Sequence, residues 1–105
     1  MTFKRLSISD SKTLLDEQDA TLVDIRDQAS FISSHIERAI HIDNNNVQAF
    51  IQQQDHSKPL VVYCYHGNSS QGAADFFASQ GFSEVYSMDG GFEEWRTQYA
   101  TVTES

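Results

Sequence analysis

Cys64 is the one cysteine of the chain, and the residues after it, Tyr65-His66-Gly67-Asn68-Ser69-Ser70, are of the types that curl a backbone around an anion. Glycine and asparagine tolerate left-handed backbone angles, so Gly67 and Asn68 allow the segment to turn its amides inward. A concave run of backbone N–H groups is an anion nest. If a helix begins at Ser69, its unpaired amides and positive dipole end face the same point. A sulfur held there is more acidic than a free thiol and is activated as a nucleophile. The same amides stabilise negative charge on whatever the sulfur carries after attack, which suits small sulfur oxyanions. Two plainer readings stand beside this one. A lone cysteine at the end of a buried strand is often core filler, and Asn68, Ser69 and Ser70 form an ordinary helix cap. His66 is equally a surface histidine or a side chain facing substrate.

The elements that must position this segment alternate along the chain. Residues 3–7 read as a short strand, followed by a helix capped at Ser9 or Asp10 and running to about residue 16, with Leu14 and Leu15 inward. The β-branched run 21–25 reads as a buried strand. Asp27 or Ser30 opens a short helix, 39–42 is a brief strand, and Asn46 caps a helix carrying Val47, Phe50 and Ile51. Residues 60–64 are apolar on both faces, as a central parallel strand requires. A helix over 69–80 follows, with Ala73, Ala74, Phe76 and Phe77 inward and Gly81 as its stop. Residues 85–88 form the last strand, and Gly90-Gly91 turns into a final helix with Trp95 and Tyr99. Strands separated by helices, with almost no hairpin signal, predict a three-layer α/β/α domain around a mainly parallel five-stranded sheet. Cys64 then lies at the carboxyl end of the central strand, where open α/β sheets bind ligands.

Composition narrows the function classes. The 105 residues make one domain, with a core over about 3–99 and a tail, 100–105, expected to fray. The net charge of −8 opposes nucleic-acid binding and docking on an anionic membrane. A single cysteine supplies no internal disulfide and no multi-thiolate metal site. His35 and His41 lack the partners of a zinc set, so no metal and no cofactor is expected. The first ten residues have no apolar run of the kind a signal peptide carries, and the expected location is a reducing cytoplasm. Nothing in the residues fixes an oligomeric state.

Three segments together resemble the rhodanese family, and within it the single-domain bacterial thiosulfate sulfurtransferases. Leu22-Val23-Asp24-Ile25-Arg26, continuing through Phe31 to Ser34-His35-Ile36 and Ala39-Ile40, is similar to the N-terminal family signature. Cys64-Tyr65-His66-Gly67-Asn68-Ser69-Ser70 is similar to the active-site loop of that subtype, and Asp89-Gly90-Gly91-Phe92-Glu93-Glu94-Trp95 to the C-terminal signature. The chain departs from the common pattern at Ser34 and Arg38, where many members carry glycine, and its loop lacks the arginine or lysine with which some members grip an anionic donor.

The resemblance implies a rhodanese-like fold and a thiosulfate sulfurtransferase. Cys64 would take the outer sulfur of thiosulfate as a persulfide and pass it to cyanide or to a thiol acceptor, for which thioredoxin is a candidate by family analogy. Tyr65, His66, Gly67, Asn68, Ser69 and Ser70 would bind substrate mainly through backbone amides. Asp24, Arg26 and His35 would support neighbouring loops. Two alternatives remain. One is a non-catalytic rhodanese-like interaction module. The other is a cysteine phosphatase or arsenate reductase on the same fold, which needs an arginine six residues after the cysteine, where this chain has Ser70.

Overall fold

A computed structural model describes residues 2–104. Ten elements alternate along them: β1 (Lys4–Leu6), α1 (Ile8–Glu17), β2 (Thr21–Asp24), α2 (Gln28–Ser33), β3 (Ile40–His41), α3 (Val47–Gln53), β4 (Leu60–Tyr63), α4 (Ser69–Ser79), β5 (Val85–Met88) and α5 (Gly91–Trp95). The strands form one five-stranded sheet in the order β1-β5-β4-β2-β3. Every pairing is parallel, with Val62 of β4 facing Val23 of β2 and Ser87 of β5.

The period-two pattern of the strands divides the core into two halves. Leu60, Val62, Val23 and Val85 point to one face, where Phe50 and Ile51 of α3 and Ala74, Phe77 and Ala78 of α4 cover them. Val61, Tyr63, Leu22 and Met88 point to the other, beneath Ile8 and Leu15 of α1 and Phe92 and Trp95 of α5. All four side chains of β4 are sealed from solvent. Burying a side chain of that size contributes about 1.5–3 kcal/mol, which makes β4 the spine of the domain. Because β4 is covered on both sides, the polar work of the chain is confined to its ends.

Local chemistry sets the element ends. Ser7, rather than Ser9 or Asp10, caps α1 by accepting from the Asp10 amide at 3.1 Å. Asp27 caps α2 through the Ser30 amide. Asn46 stands at the start of α3 without capping it, because its amide side chain accepts from Asp43 N and donates to His41 O. On α4, Ala74, Phe77 and Ala78 turn inward while Phe76 stays exposed.

Within the tail expected to fray, residues 101–104 are tied down instead, and residue 105 lies outside the described residues. Val102 pairs with His35 in an antiparallel bridge with N···O distances of 2.8 and 2.9 Å, and the Glu104 amide donates to Ile32 O. Thr101 accepts from the Ser34 hydroxyl at 2.8 Å. A short polar tail carries no periodic signal, yet its backbone groups find partners on the last turn of α2 and on His35 just after it. Arg38 takes the left-handed conformation at φ +74°, an uncommon state for a residue with a side chain. Its guanidinium holds Leu15 O at 2.9 Å. Among the described residues, no helix is long and apolar enough to cross a membrane.

Candidate active site

β4, which lies between β5 and β2 in the sheet, ends at Tyr63, and Cys64 is the first residue beyond its carboxyl end. The next four residues curl back so that α4 begins beside the sulfur. The Gly67 amide donates to Cys64 Sγ at 3.3 Å and the Ser70 amide at 3.2 Å. Only Gly67 uses the left-handed region, at φ +92°; Asn68 stays right-handed at φ −90° and makes no side-chain capping bond. Gly67 is required for a second reason. A β-carbon there would stand 2.9 Å from Gly90 N and 3.1 Å from Met88 O, so the loop packs directly on the turn after β5.

Cys64 is 4% exposed. Burial pushes its thiol up, but the Ser70 hydroxyl and the amides of Ser70, Gly67 and His66 outweigh that and hold it below the ordinary thiol range. The first turn of the 11-residue α4 adds its dipole in the same sense. The site therefore favours sulfur in its anionic form.

The candidate residues fall into distinct places. His66, Asn68 and Ser69 present exposed side chains around the rim, whereas Gly67 and Ser70 are buried. Tyr65 leans away from the sulfur: its hydroxyl donates to the Asp27 carboxylate and lies 3.0 Å from Ser30 Oγ. Asp24 and Arg26 form a buried ion pair at 2.8 Å, and the Arg26 guanidinium also donates to Ser34 O at 2.6 Å. Its planar face packs 4.0 Å from the Phe92 ring centroid and beneath the Tyr65 ring. His35 stacks on Phe31 at 3.9 Å, with Nδ1 2.7 Å from Phe31 O. None of these three side chains hydrogen-bonds to Cys64 Sγ; Asp24 and Arg26 tie the end of β2 to Ser34 and to the Tyr65 and Phe92 rings, and His35 packs on Phe31 and pairs with Val102. Among the described residues, no group of His, Cys, Asp and Glu side chains is placed to hold a metal ion.

Two participants escape a reading of the loop motif. Gly91 brings α5 against the back of the loop, where the Phe92 amide donates to Cys64 O at 2.8 Å and the Glu93 amide to Tyr65 O at 3.0 Å. The glycine pair itself signals close approach in the sequence, but not toward which segment. Ser87, fully buried on β5, shares a hydrogen bond with Ser70 at 2.7 Å. Its signal is a small polar residue on the same strand face as the buried Val85.

Comparison with known proteins places this architecture. Residues 7–98 match the model of the rhodanese-like domain. The chain is 54% identical over 101 residues to the thiosulfate sulfurtransferase GlpE of Pseudomonas syringae pv. syringae, covering 96% of this chain and 94% of that protein. It is 53% identical over 104 residues to GlpE of Pseudomonas aeruginosa strain LESB58, covering 99% and 94%. The crystal structure of a rhodanese-like domain protein from Staphylococcus aureus superposes with a TM-score of 0.84 at 17% identity, covering 98% of this chain and all of that one, a likeness of fold. A family match across nearly the whole domain, shared with relatives more than half identical in sequence, makes this chain a member of the rhodanese-like domain family.

Proposed function

We propose that the protein is a thiosulfate sulfurtransferase in which Cys64 carries the sulfur. The observation behind the residue assignment is the pair of amides, Gly67 N and Ser70 N, aimed at Sγ from 3.3 and 3.2 Å. The activity is the one named for the GlpE relatives from Pseudomonas. In the first half-reaction the Cys64 thiolate attacks the outer sulfur of thiosulfate. A sulfur–sulfur bond forms to Cys64, the bond within thiosulfate breaks, and its electron pair leaves with sulfite. The enzyme is left as a persulfide anion whose terminal sulfur occupies the amide-lined loop. In the second, cyanide or an external thiolate attacks that sulfur and expels the Cys64 thiolate, giving thiocyanate or a new persulfide. The two half-reactions give ping-pong kinetics.

The chain has no second cysteine, so the acceptor thiol comes from outside. A dithiol protein of the thioredoxin type, in a reducing cytoplasm, is the acceptor we favour. Exposed His66 at the rim is positioned to meet an incoming donor or acceptor, while Asp24, Arg26 and His35 act as supports. Position 70, where a cysteine phosphatase carries its arginine, is a buried serine in this chain, so that position offers no guanidinium to grip a tetrahedral oxyanion.

Intact-mass spectrometry tests the assignment. Incubation with thiosulfate is expected to add the mass of one sulfur to the wild-type chain and none to Cys64→Ser. An absent adduct, or an equal adduct on the variant, overturns it.

A further inference from the structure

β5 reads Val85-Tyr86-Ser87-Met88, and alternation sends Val85 and Ser87 toward the face covered by α4. Ser87 is 0% exposed there, and so is Ser70, the second residue of α4. Their hydroxyl oxygens lie 2.7 Å apart. Each hydroxyl has one hydrogen to give, and a buried hydroxyl hydrogen without an acceptor is costly. Among the described residues, Ser87 Oγ has no hydrogen-bond partner other than Ser70 Oγ. If Ser70 donated to Ser87, the Ser87 hydrogen would have nowhere to go. If Ser87 donates to Ser70, the Ser70 hydrogen is left free to turn toward the neighbouring sulfur, to which the Ser70 amide already donates at 3.2 Å.

We infer that Ser87 is a positioning residue for the sulfur site: its hydroxyl donates to Ser70 Oγ and so turns the Ser70 hydroxyl hydrogen onto Cys64 Sγ. The sulfur then has a side-chain donor in addition to the two backbone amides. The Ser70 hydroxyl is among the groups that hold the Cys64 thiol down. A hydroxyl that itself accepts a hydrogen bond is the more polarised donor, so the two serines act as a relay. Ser87 thereby affects a sulfur with which it makes no hydrogen bond. The benefit to a persulfide rests on the sulfur-carrier reading of Cys64; the benefit to the thiolate does not.

Thiolate ultraviolet absorbance tests the relay, because Cys64 is the only thiol and the signal of Cys64→Ser can be subtracted. Ser87→Ala removes one oxygen with little change of shape. It is expected to lower the thiolate-to-thiol ratio at fixed pH roughly fivefold, the equivalent of one ordinary hydrogen bond. In a Ser70→Ala background the same substitution is expected to change nothing further, since the link is already cut. An unshifted titration in folded Ser87→Ala, or an equal shift with and without the Ser70 hydroxyl, overturns the inference. Should Ser87→Ala not fold, Ser87→Thr, which keeps the hydroxyl, is expected to titrate like the wild type, and a raised midpoint overturns it. Thiosulfate loading of the wild type, read by intact mass, separates the two proposals. A shifted titration without loading sinks the sulfurtransferase reading and leaves the relay standing; loading with an unshifted titration does the reverse.

Discussion

Gly91 lies against the carbonyl of Cys64 with no room for a side chain. A β-carbon there would stand 2.6 Å from the carbonyl oxygens of both Cys64 and Tyr65. The close approach lets the Phe92 and Glu93 amides bond those same oxygens. The loop is thus held from two sides: the Gly67 and Ser70 amides engage the sulfur, and the first turn of α5 engages the backbone behind it.

Gly91→Ala is therefore expected to be severe. The added methyl meets backbone atoms rather than flexible side chains, and Gly91 sits at φ +59°, where a side chain adds strain of its own. We expect a loss of about 2–4 kcal/mol in urea unfolding. We also expect at least a tenfold fall in kcat/KM for thiosulfate. A variant that keeps both stability and turnover would show that the loop does not depend on this contact.

The acidity of Cys64 links chemistry to stability. The folded state holds this thiol below its ordinary range, while the unfolded thiol titrates near about 8.5. Between the folded and unfolded values the folded chain binds fewer protons, so stability rises with pH across that window. The contribution is complete above the unfolded value and is lost as pH falls through the folded one. Urea midpoints measured on wild type and Cys64→Ser should therefore diverge in favour of the wild type as pH rises toward about 8.5 and stay parallel above it. Curves that remain parallel throughout would mean that the loop gives the thiolate no advantage.

Asp24 tests the division between support and chemistry. Its carboxylate is fully buried, accepts from the Arg26 amide and guanidinium, and makes no hydrogen bond to the sulfur. Asp24→Asn leaves the Arg26 charge buried without its partner, a loss of about 3–5 kcal/mol. Activity per folded molecule is expected to stay within about threefold of wild type, since the loop amides are untouched. A stable but inactive variant would move Asp24 from support into the reaction.

How far the sequence reaches is clearest at β4 and at the tail. Residues 60–63 are apolar on both faces, as a covered central strand requires, and the helix signals on either side place Cys64 at its carboxyl end. Gly67 is equally legible, because a left-handed turn against another backbone demands glycine. The bridge between His35 and Val102 is not legible: it is made by backbone groups, and two residues 67 positions apart carry no local sign of pairing. Asn68 misleads for a related reason. Its type permits the left-handed region, but the conformation was set by Gly67 before it and the helix after it. Ser87 looks like a weak strand residue until β5 is placed beside α4.

Charge around the loop leads to the last prediction. The chain carries a net charge of −8, and no lysine or arginine occurs between Cys64 and Ser70. Glu93, whose amide bonds the loop, is kept ionised by the hydrogen bond it accepts from Arg96. A thiosulfate dianion must approach Cys64 through this field, with only short-range amides to attract it. The repulsion acts over distance and is screened, since the Debye length falls from about 30 Å at 0.01 M salt to about 8 Å at 0.15 M. Raising ionic strength is therefore expected to raise kcat/KM for thiosulfate. Glu93→Gln is expected to raise it about two- to threefold at low salt and to flatten part of the salt response. Two salts with different anions separate screening from competition for the loop, because screening depends on ionic strength alone. A response that is flat or falling in both salts, with Glu93→Gln indistinguishable from wild type, would mean that encounter with the donor is governed by the amides and not by the field of the protein.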